Sequence, residues 1–185
     1  MFLAKVYASW SKDPSSQVGA VVARGKYTIS SGYNGFPPGV DDSEERLNNR
    51  DLKYPIIRHA EENCILNAAK EGIRLAGSTI YSYPFPPCAD RCAGMIISVG
   101  IKRVVYEIGG DPERADEWRR RAKLSFDQFK EVGIEVIELQ PYNDMEIPSW
   151  ENSLTIKACM KLLLVLLYVK TTMNLSAIMR RLRIS

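Results

Sequence analysis

An α/β fold, with a mixed five-stranded sheet and helices on both of its faces, is predicted by three observations. Two strand-like runs, Val18 to Arg24 and Tyr27 to Tyr33, are separated only by Gly25 and Lys26, the spacing of an antiparallel hairpin. Three later strand-like runs alternate with helical segments, and such crossovers make neighbouring strands parallel. The 185 residues, 45% hydrophobic and 25% charged, suffice for one sizeable core and exclude a disordered chain.

The elements follow in order. Phe2 to Trp10 forms a short amphipathic helix, ended by the polar turn SKDPSS, and the hairpin comes next. Asn34 to Arg58 is loop-like, and a connection this long in a compact domain is functional or mobile. His59 to Glu71 reads as a helix that Gly72 terminates. Thr79 to Tyr83 is a strand, PFPP a rigid approach, and Ala89 to Val99 a helix stopped by Gly100. Lys102 to Glu107 is a strand, Glu113 to Val132 a long charged helix, and Ile134 to Leu139 the last strand.

After Pro141 the pattern weakens, which divides the chain into a domain over 1–141 and an extension over 142–185. Within the extension, KLLLVLLYVK is apolar at too many consecutive positions for a surface helix. Its expected fate is burial against the body or a neighbouring subunit, so a homo-oligomer, dimer or hexamer, is expected. The terminal RRLR is read as a solvated tail.

Charge separates the two parts. Residues 151–185 hold six basic side chains against Glu151 alone, so the formal charge of +3 leaves the first 150 residues slightly acidic. An acidic body grips a nucleic-acid backbone poorly, which favours a small substrate over a polymer. The opening MFLAKVYASW lacks the basic-then-apolar order of a signal peptide. The longest apolar run, Leu162 to Val169, is far shorter than the roughly 20 residues of a membrane span. No membrane partner is expected, and free cysteines fit a reducing cytoplasm.

The single histidine, His59, excludes any chemistry that needs two imidazoles from one chain. His59-Ala60-Glu61 and the later Pro87-Cys88-Ala89-Asp90-Arg91-Cys92 supply one imidazole and two thiolates. Three protein ligands suit a tetrahedral zinc with its fourth position open, the arrangement of a catalytic site. His59 opens one predicted helix and Cys92 lies in the first turn of another, so both positive helix ends favour thiolate. Glu61 need not be a ligand and is free to move protons. Cys64 and Cys159 are read as buried small hydrophobes.

These residues resemble the zinc-dependent cytidine deaminase superfamily, with its H-x-E and P-C-x-x-C signature. Within it the chain is similar to the deoxycytidylate deaminase family over roughly residues 2–139. SKDPSSQVGAVV at 11–22, GYNGFPPGV at 32–40, KYPIIRHAEEN at 53–63 and GIKRVVY at 100–106 carry the likeness beyond the metal ligands. One departure stands out: three residues separate Cys88 from Cys92, where the signature has two. Both can still face one metal if Cys88 precedes the helix.

The resemblance implies the three-layer cytidine-deaminase-like fold, one catalytic Zn2+ per chain, and hydrolysis of dCMP to dUMP with release of ammonia, supplying the precursor of thymidylate. Hydroxide generated at zinc attacks C4 while Glu61 protonates N3 and then the leaving amine. It also implies regulation by dCTP and dTTP in some members. Lys12, Ser15, Asn34 and Tyr106 are expected to border the nucleotide, with Asn34 at the sugar by resemblance. Arg46, Arg50 and Lys53 are read as pairing with nearby acids rather than binding phosphate. The alternatives are other small substrates (CMP, cytidine, modified dCMP or guanine), a polynucleotide or tRNA deaminase, and a non-catalytic zinc-stabilised module. The presence of Glu61 speaks against the last.

Overall fold

The computed structural model describes residues 1–109 and 112–140. Its five strands are β1 (Gly19–Arg24), β2 (Tyr27–Tyr33), β3 (Thr79–Tyr83), β4 (Arg103–Glu107) and β5 (Glu135–Leu139), in the spatial order β2-β1-β3-β4-β5. β1 runs antiparallel to both β2 and β3, while β3, β4 and β5 are mutually parallel. The hairpin turns at Gly25, whose φ of +60° suits a residue without a side chain. The mixed five-stranded sheet expected from the sequence is therefore present.

Side-chain alternation assigns the layers. Gly19 on β1 faces α1 (Phe2–Ala8), where a Cβ would overlap the backbone of Ala4 and Ala8. Tyr83, its partner in register, also faces α1, with the Lys5 ammonium 5.2 Å from its ring. Neighbouring Ala20, Gly32 and Ser82 share one register row and point to the opposite face. Here α4 (Ala60–Lys70) lies so close to β2 that a Cβ on Gly32 would overlap the backbone of Ala60 and Cys64. The same face carries α5 (Gly94–Ser98) and α6 (Pro112–Glu131), whose Phe126 stacks on Tyr106 of β4. The main core lies between the sheet and these helices, among them Val22, Cys64, Ile80, Ile96, Val104 and Phe129.

Two local expectations are corrected. The stretch read as a loop contains two short helices, α2 (Glu44–Asn48) and α3 (Arg50–Ile56). Ser43 precedes two glutamates in the first turn of α2, and the Asn49 side chain accepts from the backbone N–H groups of Asp51 and Leu52 to cap α3. The segment predicted as one helix from Ala89 begins instead as a π-helical turn over Ala89–Ala93, followed by α5. The extension over 142–185, including Cys159, lies outside the described residues. Among the described residues, no helix is long and apolar enough to cross a membrane.

Candidate metal centre

His59 is the N-cap of α4 and Cys88 the N-cap of the π turn, so both stand where a helix-like turn begins. The His59 Nδ1 lies 3.4 Å from Cys88 Sγ and 3.3 Å from Cys92 Sγ, and the two sulfurs are 3.4 Å apart. Among the described residues this is the one cluster of three side chains suited to holding a metal. A tetrahedral zinc with Zn–N near 2.0 Å and Zn–S near 2.3 Å separates its donors by about 3.5 to 3.8 Å, so the cluster fits zinc with slight expansion. Soft sulfur beside imidazole is also the donor chemistry that zinc prefers.

Electrostatics prepares the same atoms. The hydrogen bond shared with Cys92, together with a further one to His59, outweighs burial and lowers the Cys88 thiol to about 6. Cys92, buried and holding the shared proton, is pushed up. Cys88 in turn holds the His59 imidazolium above its ordinary range, against burial. Cys64 is fully buried outside the cluster, and desolvation pushes its thiol up to about 12. In zinc-free protein Cys88 should therefore be thiolate above pH 6 and lose reactivity as pH falls through that value. Alkylation by iodoacetamide, read by peptide mass, should show a Cys88 midpoint near pH 6 with Cys64 and Cys92 unreacted there. A Cys88 midpoint at the ordinary thiol value would contradict this arrangement.

Glu61 lies in the first turn of α4 and is buried. Its Oε1 accepts from the Ser82 hydroxyl at 2.7 Å, while Oε2 lies 3.5 Å from Cys92 Sγ. Ser82 also stands 2.8 Å from the Phe85 carbonyl oxygen, so one hydroxyl proton serves two acceptors. His59, Glu61 and Cys88 line a cavity of about 370 Å³ together with Asn34, Ser15 and Trp118.

The residues expected around a nucleotide divide into two groups. Ser15 and Asn34 line this cavity. Asn34 is held rigidly: its Oδ1 accepts from Val18 N at 2.7 Å, and its Nδ2 donates to the Ser16 carbonyl at 2.8 Å. Ser15 Oγ accepts from Lys53 Nζ at 3.1 Å, and the buried Lys53 pairs with the buried Asp13 at 2.9 Å. Lys53 thus pairs with an acid, as read from the sequence, while Arg50 lies over the Tyr54 ring at the cavity wall. Lys12 and Tyr106 stand elsewhere. Lys12 pairs with Asp42 at 2.8 Å beside a separate cavity, and the Tyr106 hydroxyl donates to Glu138 at 2.8 Å beside another. Each has found a carboxylate partner that only the folded chain supplies.

Several lining or supporting residues carry no mark in the sequence, among them Ser82, Trp118 and Arg121. Trp118 packs on Phe85 with ring centroids 3.9 Å apart, and the Arg121 guanidinium lies 5.1 Å from the Trp118 ring. Their signal is buried in the charged pattern of α6, which looks like any solvated helix.

Comparison with known proteins follows the same lines. The family model for the cytidine and deoxycytidylate deaminase zinc-binding region matches residues 1–108. An uncharacterised deaminase of the luxG 3′ region of Aliivibrio fischeri is 39% identical over 138 residues, 72% of this chain and 86% of its own length. A deoxycytidylate deaminase of Pongo abelii is 37% identical over 133 residues, covering 69% of this chain and 71% of that protein. Among solved structures, the dCMP deaminase of cyanophage S-TIM5, determined in complex with dCMP and dUMP, superimposes with a TM-score of 0.58 at 25% identity. That match covers 75% of this chain and 92% of the phage protein.

Proposed function

Because the chain belongs to the cytidine and deoxycytidylate deaminase family, we propose that it hydrolyses the 4-amino group of dCMP, giving dUMP and ammonia. The observation that carries this reading is the joint placement of the His59, Cys88 and Cys92 cluster and the buried Glu61 on one cavity whose wall also holds Arg50, Lys53 and Arg121. Zinc held by the three ligands supplies a Lewis acid that makes water acidic enough to yield hydroxide near neutral pH.

The remaining chemistry falls to the chain's own groups. Ser82 fixes Glu61 Oε1, leaving Oε2 on the cluster side to take a proton from the attacking water. Glu61 returns that proton to N3 of the base, then takes the proton of the new C4 hydroxyl and delivers it to the amine, which departs as ammonia as the C4 carbonyl forms. Because the proton that Glu61 carries resides on Oε2, Ser82 keeps donating to Oε1, with the Phe85 carbonyl as its second acceptor, and holds the carboxyl in place in both protonation states. Asn34, immobilised by three neighbours, borders the sugar, and Ser15 with Arg50 and Arg121 offers donors to a phosphate. Lys53 neutralises Asp13, which would otherwise repel that phosphate.

The test is ammonia release from dCMP, CMP, deoxycytidine and guanine, each with and without dCTP and dTTP. The expected result is turnover of dCMP with kcat/KM about 100-fold above deoxycytidine, since charged hydrogen bonds to one phosphate contribute about 3 kcal/mol. Inactivity on every monophosphate would overturn the assignment. A response to either triphosphate would establish the regulation that the family resemblance implies.

A further inference from the structure

The two metal-binding cysteines are one residue farther apart in sequence than the P-C-x-x-C signature allows, and the fold has a specific place for the additional residue. Ala93 N–H donates to the Cys88 carbonyl at 2.9 Å, an i to i+5 bond that closes a π turn instead of an α turn. The wider turn keeps the two sulfurs 3.4 Å apart and lets Arg91, between them in sequence, reach across to α4.

Its partner there is Glu62. Arg91 Nη2 lies 3.1 Å from Glu62 Oε2 and 3.4 Å from Oε1. The Glu62 side chain is only 6% exposed, and its Oε2 also accepts the backbone N–H of His59 at 2.8 Å. One buried carboxylate therefore touches the main chain of the histidine ligand on one side and the cysteine turn on the other. Arg58, the remaining cation, is more exposed and only reaches Oε1 at 3.5 Å.

We propose that Arg91 and Glu62 form a clasp that holds the His59 helix end and the Cys88–Cys92 turn in register for the metal, so that Arg91 is a positioning residue of the centre. The proposal rests on reading the cluster as a zinc site. Apolar contacts of Ala60, Cys64, Ala93 and Ile96 join the two elements in the core, but non-directional packing does not fix the relative height of three ligand atoms. A charge-assisted bond to a desolvated carboxylate does, because few geometries satisfy it. Outer partners of metal ligands typically account for about 10- to 100-fold in affinity.

The experiment measures the zinc Kd of the full chain by competition with a chromophoric chelator, together with the melting temperature with and without zinc. Arg91→Met is expected to weaken zinc about tenfold or more, Arg91→Lys less, and both should keep the KM for dCMP at saturating zinc. Glu62→Gln, which retains an acceptor for the His59 N–H, approaches the contact from its other end and should match Arg91→Met. A pair with a structural role alone would lower the melting temperature equally with and without zinc, whereas the clasp shrinks the stabilisation that zinc adds. Zinc affinity within twofold of the parent in folded Arg91→Met or Glu62→Gln would overturn the clasp. A parent chain that takes up no zinc would overturn the metal reading and the clasp together.

Discussion

Glu61→Gln is expected to leave the zinc content and the fold intact while lowering kcat by about 10³-fold or more, the upper range for loss of a general acid and base. The substitution is close to isosteric, and an amide oxygen at the Oε1 position still accepts the Ser82 hydroxyl at the present 2.7 Å. What disappears is the ability of the second atom, 3.5 Å from Cys92 Sγ, to take up and return a proton. Zinc content by mass spectrometry of the metal, thermal melting and steady-state ammonia release together separate these effects. Activity within tenfold of the parent would remove Glu61 from the proton path.

The second large effect is expected at His59. Substituting Ala removes the chain's sole imidazole, and no other described His, Cys, Asp or Glu completes the three-donor cluster. Structural zinc sites with four ligands bind with about 10 to 16 kcal/mol in total. On that scale one ligand accounts for about 3 kcal/mol, and the Kd for zinc should rise about 100-fold or more. Activity should fall in parallel in zinc-limited buffer. Cys64→Ala is the control: that thiol is fully buried beside Ala60 and Ile65 but outside the cluster, so it should keep zinc and turnover at a modest cost in stability. Zinc retention by His59→Ala would show that the metal is held elsewhere.

Much of this architecture was legible in the sequence because it is written in short-range patterns. The strands announce themselves by short apolar runs bounded by turn residues, the hairpin by Gly25 and Lys26, and the end of α4 by Gly72, whose φ is +66°. His59, Glu61, Cys88 and Cys92 are legible for the same reason: each pair is local, and their residue types have few other joint uses. The helices α2 and α3 were missed because five and seven residues complete too few turns for periodicity to show. Their caps at Ser43 and Asn49 were the usable signal. Ala89 to Ser98 carries no mark that distinguishes a π turn from an α turn, since the difference lies in which carbonyl Ala93 chooses.

Residues brought in by register were the least legible. Ser82 reaches Glu61 because β3 pairs with β1 so that Ala20 and Ser82 share the face covered by α4. Nothing near Ser82 in the chain states that. Lys12 and Tyr106 illustrate the converse: their chemistry suits a nucleotide, yet folding places Asp42 and Glu138 within 2.8 Å of them.

The absence of a side chain at Gly32 has a consequence for how such a protein can be redesigned. Because α4 rests directly on the sheet there, the distance from Ser82 up to Glu61 and His59 is set by two backbones in contact, and even a methyl group would lift the whole assembly. The floor of the cavity is in effect a fixed tool. Its selectivity is freer to drift at the wall formed by Arg50, Tyr54, Trp118 and Arg121, which α3 and α6 contribute. A search for variants that accept a different base or sugar would best randomise those four positions and leave the two layers beneath them untouched.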